Sequence, residues 1–197
     1  FYNSNINLKT NLNMKNLKSI ALALVAFATI SMTAQTKKID AAGSSIEWLG
    51  KKVTGQHNGT VNFKEGTLVF KGKALKGGSF TVDMNSLTAT DLQGEYQGKL
   101  NGHLKADDFF GTAKFPTATL VFKKIGSKAK DVYAVTADLT IKGITKPVTF
   151  DITVNGNTAT TTFNVDRTKY DIKYGSKSFF DSIGDKAIND EFELKVT

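Results

Sequence analysis

The chain of 197 residues has no cysteine, two histidines and two prolines. Without cysteine it can form no disulfide, no thiolate metal site and no cysteine nucleophile, and it has no lipid-modified N-terminal cysteine. Two histidines are too few for a multi-histidine metal centre. The length and the ordinary content of 40% hydrophobic and 10% aromatic residues predict one globular domain. These absences favour a binding protein over a metalloenzyme or a thiol enzyme.

Arginine is almost absent, although the chain is basic. Lys and Arg together number 26 against 18 Asp and Glu, and Arg167 is the single arginine. Nucleic-acid-binding proteins favour arginine because its guanidinium makes bidentate contacts with bases and phosphates. A lysine surplus spread along the chain is more typical of a solvated surface, so we predict no nucleic-acid partner.

The N-terminal region has the order of a secretory signal peptide. Lys15 and Lys18 precede an uncharged apolar run over 20–30, and small or neutral residues follow up to Ala34. We predict a signal peptide over 14–34 that is cleaved near Ala34, and a periplasmic or secreted product. The run is too short to span a bilayer, so no stable membrane insertion of the mature chain is expected. We interpret residues 1–13 as an upstream extension outside the fold and 35–197 as the folded domain.

Most of the remaining sequence alternates between apolar and polar residues with a period of two. In one such window Phe80, Val82 and Met84 alternate with polar neighbours, and eight or nine windows of this kind follow one another. Turn signals separate many of them: 58–59 (NG), 76–78 (KGG) and 155–157 (NGN). Short hairpin links imply antiparallel neighbours, so the pattern predicts an all-β protein, either a closed barrel or a sandwich.

One long segment interrupts the strand pattern. Within residues 87–116, the stretch 95–104 has helical spacing that places Leu100 and Leu104 on one face with His103. A connection of this length is usually functional, so we predict a helix that flanks the mouth of a site. The alternative is a helix that plugs a barrel end for stability alone.

Seven segments together resemble one known family. They are 45–48 (SIEW), 55–59 (GQHNG), 78–87 (GSFTVDMNSL), 102–110 (GHLKADDFF), 114–119 (KFPTAT), 139–148 (LTIKGITKPV) and 165–172 (VDRTKYDI). In number, order and spacing they resemble the YceI-like family of secreted, lipocalin-like polyisoprenoid-binding proteins, over essentially all of the mature chain.

The resemblance implies an all-β fold, namely an antiparallel lipocalin-like β-barrel of about eight strands with one short helical insertion at the mouth. It also implies a non-catalytic function, the binding and carriage or storage of an amphipathic isoprenoid lipid such as a polyprenyl lipid or an isoprenoid quinone. No cofactor is expected besides such a lipid, and the family allows a homodimer.

The inward parity of the strands gives a set of candidate lumen residues: Trp48, Phe63, Phe70, Phe80, Val82, Met84, Leu120, Phe122, Val135, Leu139, Phe150, Ile152 and Phe163. Aromatic residues in the breaks between strands are candidates for the mouth: Phe109, Phe110, Phe179 and Phe180. The candidate headgroup donors are His103, Lys142 and Arg167. For each lumen residue the alternative is plain core packing, and for Arg167 it is a structural ion pair with Asp166 or another acid.

Two other functions compete with lipid binding. An eight-stranded barrel is just wide enough either to hold one small ligand or to be filled by its own side chains, so a filled structural or interaction barrel is one alternative. The other is a weak metal-dependent hydrolase, in which His57, His103 and Asp107 would converge on a metal ion.

Overall fold

The computed structural model describes residues 33–180 and 184–197, and in these ranges the chain forms nine strands and one α-helix. The bounds are Ala34–Lys38 (β1), Ile46–Lys52 (β2), Gly55–Lys71 (β3), Ala74–Ala89 (β4), Gly94–Lys105 (α1), Thr117–Ala129 (β5), Val132–Ile141 (β6), Ile144–Asn155 (β7), Thr158–Asp166 (β8) and Ile188–Val196 (β9). Two short 3₁₀ turns, Arg167–Tyr170 and Gly184–Lys186, connect β8 to β9.

The sheet closes on itself as an antiparallel barrel. Its strand order is β1-β3-β2-β9-β8-β7-β6-β5-β4, and an additional pairing of β3 with β4 joins the two sides. Eight strands, β2 to β9, therefore form the barrel, while β1 pairs with the second half of β3. The predicted all-β barrel of about eight strands is confirmed, and the sandwich is excluded.

Strand β3 is long enough to require a change of register. Val61 and Phe63 point inward in its first half, and Phe70 points inward in its second half, which is a change of parity. Irregularities in the pairing with β4 at 60–62 and 63–65 supply the shift. A bulge adds one residue to one strand, so both halves of β3 keep their apolar side chains inside.

The two ends of the barrel differ. At the end where β4 finishes, α1 is tied to that strand, since Gln97 Nε2 donates to the carbonyl of Ala89 at 2.8 Å and Asn101 Oδ1 accepts from the N–H of Ala89 at 2.8 Å. Leu104 of α1 is buried and packs in the core cluster of the barrel. We call this the helix end, and the predicted helix over 95–104 is confirmed. The opposite end, with β1 and the hairpin turns at 72–73, 130–131 and 156–157, is called the open end below.

Gly59 on β3 is a position where no side chain fits, and this gives a first prediction. A Cβ atom there would lie 1.9 Å from the carbonyl oxygen of Thr88 and 2.6 Å from Cζ2 of Trp48. We expect Gly59→Ala to lower the free energy of unfolding by about 1–3 kcal/mol through overpacking. The matched control is Gly98→Ala in α1, where nothing lies within 4 Å of the new Cβ. It should raise stability by about 0.5–1 kcal/mol, because alanine favours helix. Urea unfolding of both variants measures the two changes in unfolding free energy, which should have opposite signs. Changes of the same sign and size would contradict the close packing described at Gly59.

The upstream extension and all of the predicted signal peptide except its last two residues, 33 and 34, lie outside the described residues. Within the described ranges, no helix has the length and apolar character needed to cross a membrane.

Candidate ligand-binding site

The interior of the barrel is hollow. It encloses a cavity of about 680 Å³, whose wall is mostly apolar. This volume lies within the range of roughly 300–1,000 Å³ that is typical of small-molecule and cofactor sites. A barrel filled by its own side chains, one of the alternatives from the sequence, does not agree with this structure.

Twelve of the thirteen predicted lumen residues lie on the cavity wall: Trp48, Phe63, Phe70, Phe80, Val82, Met84, Leu120, Phe122, Leu139, Phe150, Ile152 and Phe163. Val135 is the exception, because it is fully buried in a cluster with Leu75 and Ala137 and does not border the cavity. The alternation thus predicts which of these residues border the cavity, and their contact with a ligand stays a prediction.

Five phenylalanines form a continuous chain of ring contacts along the wall. The ring centroids of Phe63 and Phe80 are 5.9 Å apart, those of Phe80 and Phe122 5.6 Å, and those of Phe122 and Phe150 5.9 Å. Phe150 stacks on Phe163 at 4.6 Å with an interplanar angle of 18°. The last pair spans the seam between β7 and β8, where the strands pair over only three residues. The chain of rings therefore gives the cavity a wide, rigid, apolar wall.

Two glycines make room for these rings. A Cβ at Gly66 would lie 2.5 Å from Cδ1 of Phe80, and a Cβ at Gly78 would lie 2.6 Å from Cε2 of Phe122. The rings therefore pack directly against bare backbone on the neighbouring strand. Sequence reasoning read Gly78 only as a turn residue, and its partner ring could not be identified without the register.

Three of the predicted mouth residues border the cavity at the helix end. His103 contacts Phe109 with a centroid distance of 5.5 Å, and Phe109 contacts Phe110 at 5.3 Å. Phe110 in turn meets Phe192 of β9 at 6.2 Å. Together with Leu104 of α1, these rings form an apolar, largely aromatic layer at the helix end of the cavity.

Arg167 also borders the cavity, but its donors are already engaged. Its side chain is 2% exposed, and its guanidinium donates to the carbonyl oxygens of Ile172, Tyr174, Ile188 and Asn189 at 2.8–3.0 Å. Burial lowers the pKa of Arg167, and the nearby charge of Asp190, 3.7 Å away, acts against this. Arg167 thus forms a structural ion pair, the alternative given by the sequence, and its acidic partner is Asp190. Asp166 instead accepts hydrogen bonds from Thr168.

The remaining predicted mouth residues do not border the cavity. Lys142 lies in the turn between β6 and β7 and donates to the carbonyl of Asp107 at 3.0 Å. Phe179 and Phe180 are 48% and 50% exposed on the outer surface, and Lys173 Nζ lies 5.1 Å from the centroid of Phe179. The two adjacent phenylalanines were predicted to lie at a pocket rim, but in this loop both side chains are exposed to solvent.

Sequence reasoning missed the polar residues that border the cavity at the open end: Lys37, Lys38, Asp40, Asn157 and Thr158. They lie on or next to β1 and the start of β8. These two strands are not paired with each other. Lys37 Nζ is 5.6 Å from the centroid of Phe70, a wall residue. Strand β1 is exposed along its whole length and has no apolar alternation that could reveal it. A second, smaller polar border lies beside the β2–β9 irregularity: Lys51, Lys52, Asn189 and Glu191.

The residues suggested for a metal-dependent hydrolase do not converge. His57 Nδ1 lies 2.8 Å from Asp91, His103 Nε2 lies 3.9 Å from Asp108, and Asp107 is paired with Lys114. Burial raises the pKa of Asp91, but hydrogen bonds from His57 and from backbone N–H groups outweigh it and hold the pKa below its ordinary value. Among the described residues, no group of three or more His, Cys, Asp and Glu side chains could hold a metal ion.

We expect Asp190 to make the stability of the fold pH-dependent. Burial raises its pKa, but a hydrogen bond from Ser178 and the charge of Arg167 lower it more, so it lies below its ordinary value of 3.8. Such a carboxylate stabilises the fold above about pH 4 and loses this contribution as the pH falls through its folded-state pKa. We expect the unfolding free energy of wild type to fall below pH 4 more steeply than that of Asp190→Asn. Urea unfolding between pH 2 and 7 tests this, and parallel curves would contradict it.

Two solved structures share this fold. BcnA from Burkholderia cenocepacia superposes with a TM-score of 0.64 and 24% identity, over 80% of this chain and 96% of that one. A polyisoprenoid binding domain from Saccharophagus degradans, implicated in plant cell wall breakdown, gives a TM-score of 0.54 and 16% identity, over 83% of this chain and 96% of that one. At these identities the likeness concerns the barrel itself.

Sequence comparison places the chain in a family. The YceI-like domain matches residues 38–197, which include β2 to β9 and α1. Protein YceI of Escherichia coli O157:H7 is 32% identical over 140 residues, 68% of this chain and 69% of that protein. The predicted resemblance is confirmed, and the chain belongs to the YceI-like domain family.

Proposed function

We propose that this protein binds an amphipathic isoprenoid lipid, a polyprenyl lipid or an isoprenoid quinone, and carries or stores it without chemical change. The observation that carries the proposal is the hollow barrel itself, with a cavity of about 680 Å³ and a mostly apolar wall. Only a ligand with a large apolar part gains free energy from such a wall, because burying hydrocarbon there removes it from water. The Saccharophagus degradans domain, which has this fold, is named as a polyisoprenoid binding domain, and this supports the proposed class of ligand.

The apolar tail would supply most of the affinity. One isoprene unit has five carbons, so its burial contributes on the order of 3–4 kcal/mol before ordering is counted. A few buried units therefore outweigh the several kcal/mol lost when the ligand is immobilised, while longer chains gain less because affinities saturate. A cavity with a finite volume accordingly selects for tail length as well as for hydrophobicity.

The polar end of the ligand would lie at the open end, beside Lys37 and Lys38. Two observations support this placement. Both lysines border the cavity and are exposed, so their ammonium groups can meet a phosphate or a carbonyl oxygen. At the helix end, the guanidinium of Arg167 already donates to four carbonyl oxygens, and the rings of Phe109 and Phe110 border the cavity. The lysines would therefore supply headgroup specificity and the rings tail affinity.

A periplasmic or extracellular location follows from the predicted signal peptide. Cleavage after Ala34 would remove only the first residue of β1 and leave the other four to pair with β3. All eight barrel strands would remain in the processed chain, so export and lipid binding are compatible.

Thermal unfolding of delipidated protein tests the proposal. The probes are a polyprenyl phosphate, an isoprenoid quinone and, as a matched control, a saturated unbranched alkyl phosphate of equal carbon number. At a ligand concentration of about 100 times Kd the fold gains about 2.7 kcal/mol. For a domain of this size that raises Tm by about 5–10 °C. No rise with either isoprenoid would refute the function, and an equal rise with the alkyl phosphate would refute isoprenoid selectivity.

A further inference from the structure

Exposed lysines surround the open end of the barrel. We call the following seven residues the basic rim: Lys37, Lys38, Lys71, Lys73, Lys76, Lys128 and Lys130. Three acidic residues lie among them: Asp40, Asp131 and Asp151. The open end therefore has an excess of positive charge.

The basic rim is one continuous surface. Lys71 at the end of β3 is the register partner of Ala34 in β1 and of Ala74 in β4. Tyr133 Oη, at the start of β6, donates to the carbonyl of Lys73 at 3.2 Å and so joins two hairpin turns. The N–H of Val154 donates to the carbonyl of Asp131 at 2.8 Å and joins the next strand. The lysines thus follow the edge of the barrel around the opening.

In the described part of the chain, the lysines of the basic rim are mostly without an ion-pair partner. Among the residues that the structure describes, one rim lysine, Lys128, forms an ion pair, with Asp151. At the helix end, by comparison, four lysines form ion pairs: Lys99 with Glu95, Lys114 with Asp107, Lys169 with Asp166, and Lys173 with Asp171. A local excess of unpaired charge of one sign produces a potential that reaches about a Debye length from the surface.

We propose that the basic rim docks the open end of the barrel onto an anionic lipid bilayer. A ring of lysines around an opening matches a planar surface of phosphate headgroups, and each lysine near such a surface gains about fivefold in partitioning. Lysine acts as a point charge and suits a fluid array of headgroups, whereas recognition of fixed bases and phosphates favours arginine, which the rim lacks.

Docking in this orientation would place the opening of the cavity against the headgroup layer. The apolar tail of a membrane lipid could then pass between bilayer and barrel without crossing bulk water, which large apolar surfaces avoid. This benefit rests on the proposed lipid binding. The docking itself does not, because it depends on the rim charges whatever the cavity holds.

Vesicle flotation tests the docking with residues 33–197, which contain every strand of the barrel. The vesicles contain phosphatidylglycerol and phosphatidylcholine in equal amounts, or phosphatidylcholine alone. We expect wild type to float with the anionic vesicles only and to be released by 0.5 M NaCl. The rim variant Lys71→Glu, Lys73→Glu, Lys130→Glu should bind at least about a hundredfold more weakly, since three lysines are lost and three acidic side chains are added. None of these three lysines borders the cavity, so the thermal shift with polyprenyl phosphate should be unchanged.

A matched variant at the helix end separates docking from net charge. Lys169→Glu, Lys177→Glu, Lys186→Glu changes the charge by the same amount and should reduce binding much less. A second control, Phe179→Ser with Phe180→Ser, removes the exposed aromatics of the helix end and should leave binding unchanged. Equal losses in the two lysine variants, loss in the phenylalanine variant, or no binding of wild type to anionic vesicles would each overturn the proposal.

Discussion

Replacing Leu120 by tryptophan should abolish most of the lipid binding. Leu120 points into the cavity from β5, between Phe80 on β4 and Leu139 on β6. An indole at this position would occupy the space of about one isoprene unit. The loss corresponds to on the order of 3–4 kcal/mol of tail burial, so we expect the affinity for polyprenyl phosphate to fall at least about a hundredfold. Titration of the delipidated variant by isothermal calorimetry measures the change.

The next residue of the same strand provides the control. Val121 is 39% exposed on the outer face of β5, so Val121→Trp adds the same side chain on the other side of the sheet. It should bind polyprenyl phosphate as wild type does. Circular dichroism and thermal unfolding must show both variants folded, and filling the cavity should leave Leu120→Trp at least as stable as Val121→Trp. Equal affinities in the two variants would mean that the ligand does not lie in the barrel.

The second large effect expected is on stability, from Arg167→Ala. The arginine fastens the 3₁₀ turn after β8 to the start of β9, because its donors bind the carbonyl groups of Ile172, Tyr174, Ile188 and Asn189. Its removal leaves these buried acceptors without the guanidinium donors and Asp190 without its cationic neighbour. Loss of one partner from such a buried charged network costs about 3–5 kcal/mol, or about 10 °C or more in Tm.

Two further variants establish the cause. Arg167→Lys should recover little of the stability, because one ammonium cannot reach four carbonyl groups that a planar guanidinium serves together. Lys169→Ala removes a charge from the same turn, but its side chain is 63% exposed, and it should change stability by less than about 0.5 kcal/mol. If Arg167→Ala were as stable as Lys169→Ala and bound polyprenyl phosphate poorly, Arg167 would be a ligand-binding residue and its structural assignment would be wrong.

Local patterning was sufficient to predict most of the strands and their antiparallel pairing. The alternation in segments such as Tyr133 to Ile141 and Val148 to Val154 identifies which face is buried, and hairpin turns such as 155–157 fix antiparallel neighbours. Patterning could not predict β1, because a strand that is exposed on all sides shows no period. Nor could it distinguish barrel from sandwich, since closure depends on the long-range pairing of β3 with β4.

The sequence predicted strand residues that border the cavity, but at the two ends of the barrel it predicted only some of the residues that border it. Parity placed residues such as Phe80 and Leu139 on the wall, because one face of each strand must be interior. For Lys142, Phe179 and Phe180, position in the sequence carried no information on which way a turn faces. The open end is made by charged residues that are far apart in the chain, so only the tertiary structure could bring them together.

Mass spectrometry of an organic extract tests the central claim most directly. Residues 33–197 are purified without detergent from a host that makes isoprenoid lipids, and the bound fraction is extracted and quantified per mole of protein. We predict close to one molecule per chain of a lipid with a repeating five-carbon tail, and a marked depletion of it from Leu120→Trp but not from Val121→Trp. Recovery of no lipid, or of equal amounts from both variants, would contradict the account of the barrel as an isoprenoid-binding cavity.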